Sequence, residues 1–182
     1  MRQRLERYGQ AARVGNAAAW AAQAAAGSVA WSAGFISFVM QEARSRSRAP
    51  DLFRQSAGHA TYIHAALNNR NTLQLMNPFW LFDLPQMRPE VGDLVCKNRA
   101  NGNLTFAHLP AGFFRSHVDV VIEVDAANNR IFTVGGNVNN TVFRREVRTT
   151  NGFVTQNSVT NAGGRYFAIL RVRTGLFEGV VP

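Results

Sequence analysis

Three short stretches of the sequence carry side chains whose types and spacing can do chemistry. In Ala30-Trp31-Ser32-Ala33-Gly34-Phe35-Ile36-Ser37-Phe38, Ser32 stands where a loop enters an apolar helix. The first N–H groups of a helix have no partner within it, and that end of the dipole is positive. A nucleophile placed there gains stabilisation of its anionic form, and the same N–H groups can hold an oxyanion. The plainer alternative is that Ser32 is the helix N-cap, a position that favours Ser. In Ser116-His117-Val118-Asp119-Val120-Val121, His117 opens a strand, and residues two apart on a strand share a face. His117 and Asp119 therefore look the same way, and a carboxylate beside an imidazole orients it as a general base requires. A strand-end His in a polar turn is the structural alternative. In Thr133-Val134-Gly135-Gly136-Asn137-Val138-Asn139-Asn140, the glycine pair permits a bend or a close backbone approach. If Ala126–Asn129 closes a hairpin, Asn137 comes beside His117, where its amide can orient the ring. The alternative there is an ordinary glycine-rich turn.

The elements that must position these residues divide the chain in two. The first third is helical in pattern. Met1–Val14 places Leu5, Tyr8 and Ala12 on one face, Ala17–Ala26 is rich in the best helix former, and Phe35, Ile36, Val39 and Met40 recur at helical spacing over Ser32–Ala43. Arg44–Pro50 reads as a basic loop, and Ala57–Asn69 as a further helix with Ala60, Ile63, Ala66 and Leu67 on one side. The remainder reads as strands: Phe79–Phe82, Val91–Lys97, Val118–Val124, Ile131–Val134, Thr141–Val147 and Tyr166–Val172. Asn98–Gly112 reads as a loop between them. Helices first and an antiparallel meander second predict an α+β fold.

Composition narrows the partners. The 182 residues, 46% hydrophobic and 17% charged, suit one domain with a real core and exclude a disordered chain. No run supplies the roughly 18 apolar residues of a bilayer span, so no transmembrane segment is expected. The net charge of +9 favours an anionic partner: nucleic acid, cell wall or membrane surface. Lys97 is the sole lysine among 20 basic residues, and an arginine bias of that kind reflects codon composition as much as function. The arginines are scattered and accompany no nucleic-acid motif, so nucleic acid is not expected as the partner. Cys96 stands alone, which excludes an internal disulfide, and its place in an apolar strand predicts an inert thiol. His59 and His64 are poorly spaced for one helix face and lack carboxylate neighbours; no metal and no cofactor is expected. His64 and His108 have no supporting context. Arg2, Arg4 and Arg7 before the Ala-rich run mimic an export signal, but Gln23 interrupts the run, and a helix is expected instead.

Taken together, the three stretches carry a resemblance. A Ser at a helix start, then a His on a strand, then an Asn on the next strand is the chain order of papain-like cell-wall hydrolases. Trp31-Ser32-Ala33-Gly34-Phe35-Ile36-Ser37 resembles the W-C-A-x-F-V-x-W nucleophile segment of CHAP and NlpC-type amidases and peptidases. Gly92-Asp93-Leu94-Val95 looks like their GD-I/L-V strand, Ser116–Val121 like GHVGIV, and Gly135-Gly136-Asn137 like the following GGN. More closely, the set resembles the bacterial domain of unknown function 2272. That family carries Ser at the nucleophile position and an S-x-x-H-x-x-Y-I helix, matched here by Ser56, His59, Tyr62 and Ile63.

The resemblance, from about Tyr8 to Val172, implies a single papain-like domain over residues 1–182, helical over about 1–70 and β-rich over about 79–173. It implies Ser32 as nucleophile, His117 as base and Asp119 or Asn137 as the group that orients it. Trp31, His59, Tyr62 and Gly136 are implied as substrate-binding residues. His59 has two readings beside this, a second imidazole that binds substrate or replaces the usual base, and a structural histidine. The implied reaction is hydrolysis of stem-peptide amide bonds in peptidoglycan, by an amidase or endopeptidase that serves as a bacterial toxin, secreted effector or lysis protein. Such a protein acts in the periplasm or at the cell wall after delivery, as a monomer, and an effector would have a small immunity protein as partner.

Two departures qualify this. Ser32 replaces the usual Cys, and a hydroxyl needs a base within reach because it does not ionise as a thiol does. A working serine nucleophile, a degenerate site that only binds cell wall or another ligand, and a substituted Cys are the alternatives. Gly135 also stands where many CHAP domains have Glu.

Overall fold

The computed structural model describes residues 1–48, 50–99, 102–158 and 165–173. The apolar spacings of the first third close into α1 (Arg2–Ala11), α2 (Ala17–Ala25), α3 (Ser32–Ser47) and α4 (His59–Asn71). Asn16 caps α2 through its side chain, which accepts the Ala19 N–H at 3.0 Å. Helix α3 runs through Arg44–Ser47, which the sequence suggested as loop. Arg44 and Arg46 fall in its last turn, where cations meet the negative end of the dipole, and Arg48 at φ 55° ends it.

Six strands follow among the described residues: β1 (Phe79–Phe82), β2 (Leu94–Asn98), β3 (Ser116–Asp125), β4 (Arg130–Val138), β5 (Thr141–Arg148) and β6 (Tyr166–Val172). They form one sheet in the order β1-β6-β2-β3-β4-β5, every pair antiparallel. The fold is α+β. Only β2 to β5 form the expected meander; β6 returns to lie between β1 and β2. The predicted turn at Ala126–Asn129 is a short 3-10 turn, closed by Asn129 in the left-handed region. The glycine pair of β4 does not turn the chain. It sits inside the strand, as a register shift against β5 between Gly135 and Val138.

Alternation sorts the sheet into two faces. Leu94, Cys96, Val118, Val120, Ala168 and Leu170 pack with Trp20, Ile36 and Ile63 of the helices. Val95, Val121, Ile131, Val147, Tyr166 and Ile169 form the second cluster, covered by Leu84 and Val154. The Gly92-Asp93 pair fastens the middle of the sheet. Gly92 holds φ 96°, which a side chain would oppose, and donates its N–H to Val121 O at 2.9 Å. The Asp93 carboxylate accepts the Glu90 N–H at 2.8 Å, the Val172 N–H at 3.1 Å and Arg171 Nε at 3.0 Å, which ties β2 to β6. Burial pushes the Asp93 carboxyl up to about 6 against those partners. Among the described residues no helix is long and apolar enough to cross a membrane.

Candidate active site

Two groups of polar side chains meet in the fold, one from the helices and one from the sheet. The first belongs to the helices. Ser37, fully buried in α3, donates its hydroxyl to Ser56 O and accepts the Ser56 N–H, both at 3.0 Å. This double bond pins the lead-in of α4 against α3, and α4 then starts at His59 beside the first turn of α3. Ser32 Oγ lies 2.7 Å from His59 Nε2. Tyr62, one turn along α4, shares the face of His59, and its hydroxyl is hydrogen-bonded to His59 Nδ1. Ile63 of the same motif is fully buried in the core. Ser32 is not the N-cap. Trp31 holds that position and makes no capping bond, and Ser32 is the first residue of the helix, its hydroxyl spent on His59.

Trp31 itself is buried, stacks on Tyr8 at 5.8 Å and donates Nε1–H to Asn140 Oδ1 at 2.9 Å. It anchors the start of α3 to the β4–β5 turn. Gly136 allows this contact, because a Cβ there would lie 2.6 Å from Phe35 and 2.9 Å from Trp31.

The second group belongs to the sheet. His117 Nε2 lies 2.8 Å from Asp119 Oδ1, as their shared strand face predicts. The other oxygen, Oδ2, lies 3.3 Å from Arg145 Nε and 3.9 Å from Lys97 Nζ. Asp119 is fully buried. Gly135 makes the space it occupies: a Cβ at that position would stand 1.7 Å from Asp119 Oδ1. The carboxylate that orients the ring thus comes from the histidine's own strand, in room that any side chain at 135 would fill.

The two groups touch through their imidazoles, whose centroids are 5.9 Å apart. The structure therefore brings Ser32 together with His59, and His117 together with Asp119. Ser32 is bonded to His59 and not to His117, whose Nε2 is held by the charge-assisted bond to Asp119. Asn137 is not its orienting group among the described residues; it adopts φ 59° in the β4 bulge.

The electrostatics of the groups differ. Burial lowers the His59 pKa well below the usual 6.5, the neighbouring His117 lowers it further, Asp119 opposes and Arg99 adds to the fall. His59 is neutral at neutral pH. With its proton on Nδ1 it donates to Tyr62 Oη and leaves Nε2 to accept the Ser32 hydroxyl. Burial raises the Tyr62 pKa well above 10, so the phenol stays un-ionised. Burial acts to raise Asp119 as well, but the His117 hydrogen bond and charge, with Lys97 and Arg145, outweigh it and hold the carboxyl below the usual range. Burial pushes the Cys96 thiol up, which makes it the inert group its strand implied.

A cleft of about 600 Å³ opens on the helical group and is lined by Ser32, Gly58, His59, Arg99, Phe113 and Arg115, among others. Residues 3–172 match the family described as an uncharacterized protein conserved in bacteria, DUF2272. The chain belongs to that family. Comparison with curated proteins and with solved structures finds no match. For this DUF2272 domain, the S-x-x-H-x-x-Y-I helix has a physical account: the Ser56 hydroxyl accepts the Gly58 N–H at 3.1 Å and donates to Thr61 Oγ1 at 3.0 Å at the head of α4, His59 meets Ser32, Tyr62 backs His59 and Ile63 fills the core. Sequence reasoning missed Lys97, Arg145, Arg99 and Arg115. A lone lysine inside an apolar strand was a signal of a buried ion pair; the arginines carried none that set them apart from the others.

Proposed function

We propose that this DUF2272 protein is a papain-like serine amidase or endopeptidase that hydrolyses stem-peptide amide bonds of peptidoglycan. The observation that carries the reading is the 2.7 Å contact between Ser32 Oγ and a neutral His59 Nε2 at the mouth of an open cleft. In the proposed reaction Ser32 Oγ attacks the scissile carbonyl carbon as its proton passes to His59 Nε2. The uncapped N–H groups of the first turn of α3 hold the oxyanion. The carbon–nitrogen bond breaks, and His59 returns the proton to the leaving amine. Water, deprotonated by His59, then attacks the acyl-serine ester, and the released acid and Ser32 hydroxyl complete the cycle. Peptidoglycan as substrate is supported by the resemblance of four ordered motifs and by the net charge of +9.

A second reading, a module that binds cell wall without cutting it, is favoured by one feature. Tyr62, not a carboxylate, backs His59, and a phenol stabilises an imidazolium less than an anion does. Digestion of purified peptidoglycan with product analysis separates the two. The expected result is soluble muropeptides from wild type and at least about 10⁴-fold slower release by Ser32→Ala. No products from wild type, with binding to the wall retained by both proteins, assigns the binding module instead.

A further inference from the structure

The reacting pair does not face a neutral cleft. Arg99 and Arg115 both line it, and among the described residues neither forms an ion pair or stacks on a ring. Arg13 with Asp51, Arg130 with Asp125, Arg144 with Glu123 and Arg171 with Asp93 are engaged; arginines such as Arg46, Arg54 and Arg148 are not engaged among the described residues, but they do not line the cleft, as Arg99 and Arg115 do. Phe113 stands in the same cleft with 78% of its surface exposed, an apolar side chain with nothing laid on it. A second recess of about 320 Å³ lies alongside, with Asn137 and Asn140 on its wall. The two recesses share Ala30 and Arg99, so Arg99 stands where one passes into the other. Its charge reaches the reacting pair, since it contributes to the lowered pKa of His59.

We propose that the two recesses are one substrate groove for an acidic peptide, with Arg99 at the junction and Arg115 in the larger recess pairing with its carboxylates. This rests on the reading of Ser32 and His59 as the reacting pair, and it adds the charge class of the substrate. A guanidinium meets a carboxylate through two parallel N–H···O bonds, which gives orientation as well as attraction. A chain long enough to enter both recesses passes Ser32 on one side and the Asn137–Asn140 wall on the other. An amide-bonded peptide with free carboxylates matches the pattern of two cations, one apolar platform and amide-lined walls.

The test uses two probes: a peptidoglycan stem peptide with its carboxylates free, and the same peptide with them amidated. Titration calorimetry on Ser32→Ala protein is expected to show the free acid binding about tenfold more tightly than the amide, with the gap narrowing as salt is raised. Arg99→Gln and Arg115→Gln are each expected to remove most of that preference, and both are exposed replacements that leave the unfolding transition unmoved. Equal binding of the two probes, or a preference untouched by both replacements, overturns the groove. Cleavage of the two peptides at equal rates by wild type also overturns it and leaves the amidase reading standing. An acid preference without cleavage by wild type upholds the groove and overturns the amidase.

Discussion

The helical and the sheet halves of the site hold one histidine each, in opposite surroundings. The ring nitrogens of His59 are held by uncharged groups, Ser32 on one and Tyr62 on the other, at the wall of a cleft. His117 sits in a cluster of full charges, with Asp119 between it, Lys97 and Arg145, under the sheet surface. A base must be un-ionised at rest to take a proton, and burial keeps His59 in that form beside the Ser32 hydroxyl. A buried carboxylate ringed by cations resists any change of charge, which suits a fixed support. On the proposed reading, proton transfer falls to His59, bonded to Ser32, while His117, held by Asp119, packs against its ring.

Replacement of each histidine gives the largest separation. His59→Ala is expected to slow hydrolysis by at least about 10⁴-fold with the fold intact, as removal of the base does in serine hydrolases. His117→Gln is expected to keep the rate within about tenfold. Steady-state kinetics on a stem peptide checks both. The reverse order of effects would make His117 the base and return His59 to a supporting role.

Asp119 gives the next effect, and it falls on stability. Asp119→Ala leaves His117, Lys97 and Arg145 clustered without their anion, and breaking a buried charge group of this kind costs about 3–5 kcal/mol. Denaturant unfolding measures it. The pH dependence has a definite sign. The Asp119 pKa is lower in the folded than in the unfolded chain, so its stabilisation is complete above the unfolded value, near 3.8, and is lost as pH falls through the folded one. Wild type is expected to lose stability over that acid range, and Asp119→Ala to lose less of it. A wild-type loss matched by the variant would place the acid sensitivity elsewhere.

Much of this arrangement is legible in the sequence. Helical spacing located α2 to α4 within a few residues, and the two-residue strand period paired His117 with Asp119. Both signals are local, and they survive because burial enforces them. The partner of Ser32 is legible only as one of two readings of His59, with His117 the expected base. His59 lies 27 positions away, and what brings it in is the Ser37–Ser56 clamp, a contact between elements that no periodicity encodes. The return of β6 between β1 and β2 is of the same kind, a pairing of strands distant in sequence to which Asp93 adds a bond at the Val172 N–H. The Gly135 position was read as a lost glutamate. The space a Cβ would take from Asp119 gives the physical reason that no side chain stands at 135.

The smallest expected effect bears most directly on the comparison, because it asks what the uncharged partner of His59 contributes. Tyr62→Phe keeps the ring and its packing and removes only the oxygen bonded to Nδ1. The Nδ1–H tautomer then loses its acceptor, and the form that leaves Nε2 free for the Ser32 proton is less favoured. A net hydrogen bond of about 1 kcal/mol corresponds to a rate loss of roughly fivefold to tenfold in kcat, with KM unchanged. The acid limb of kcat/KM tests the cause. Burial and His117 lower the His59 pKa, so in wild type the limb is expected below pH 6.5, with activity maintained as pH falls through the range where an ordinary histidine protonates. Tyr62 is not among the causes of that shift, so the variant is expected to lose rate with its limb in place. A limb that moves with the loss of the phenol would mean that Tyr62 sets the charge of His59 as well as its tautomer. A rate unchanged by Tyr62→Phe would mean that the ring is held in its reactive orientation by burial and His117 alone.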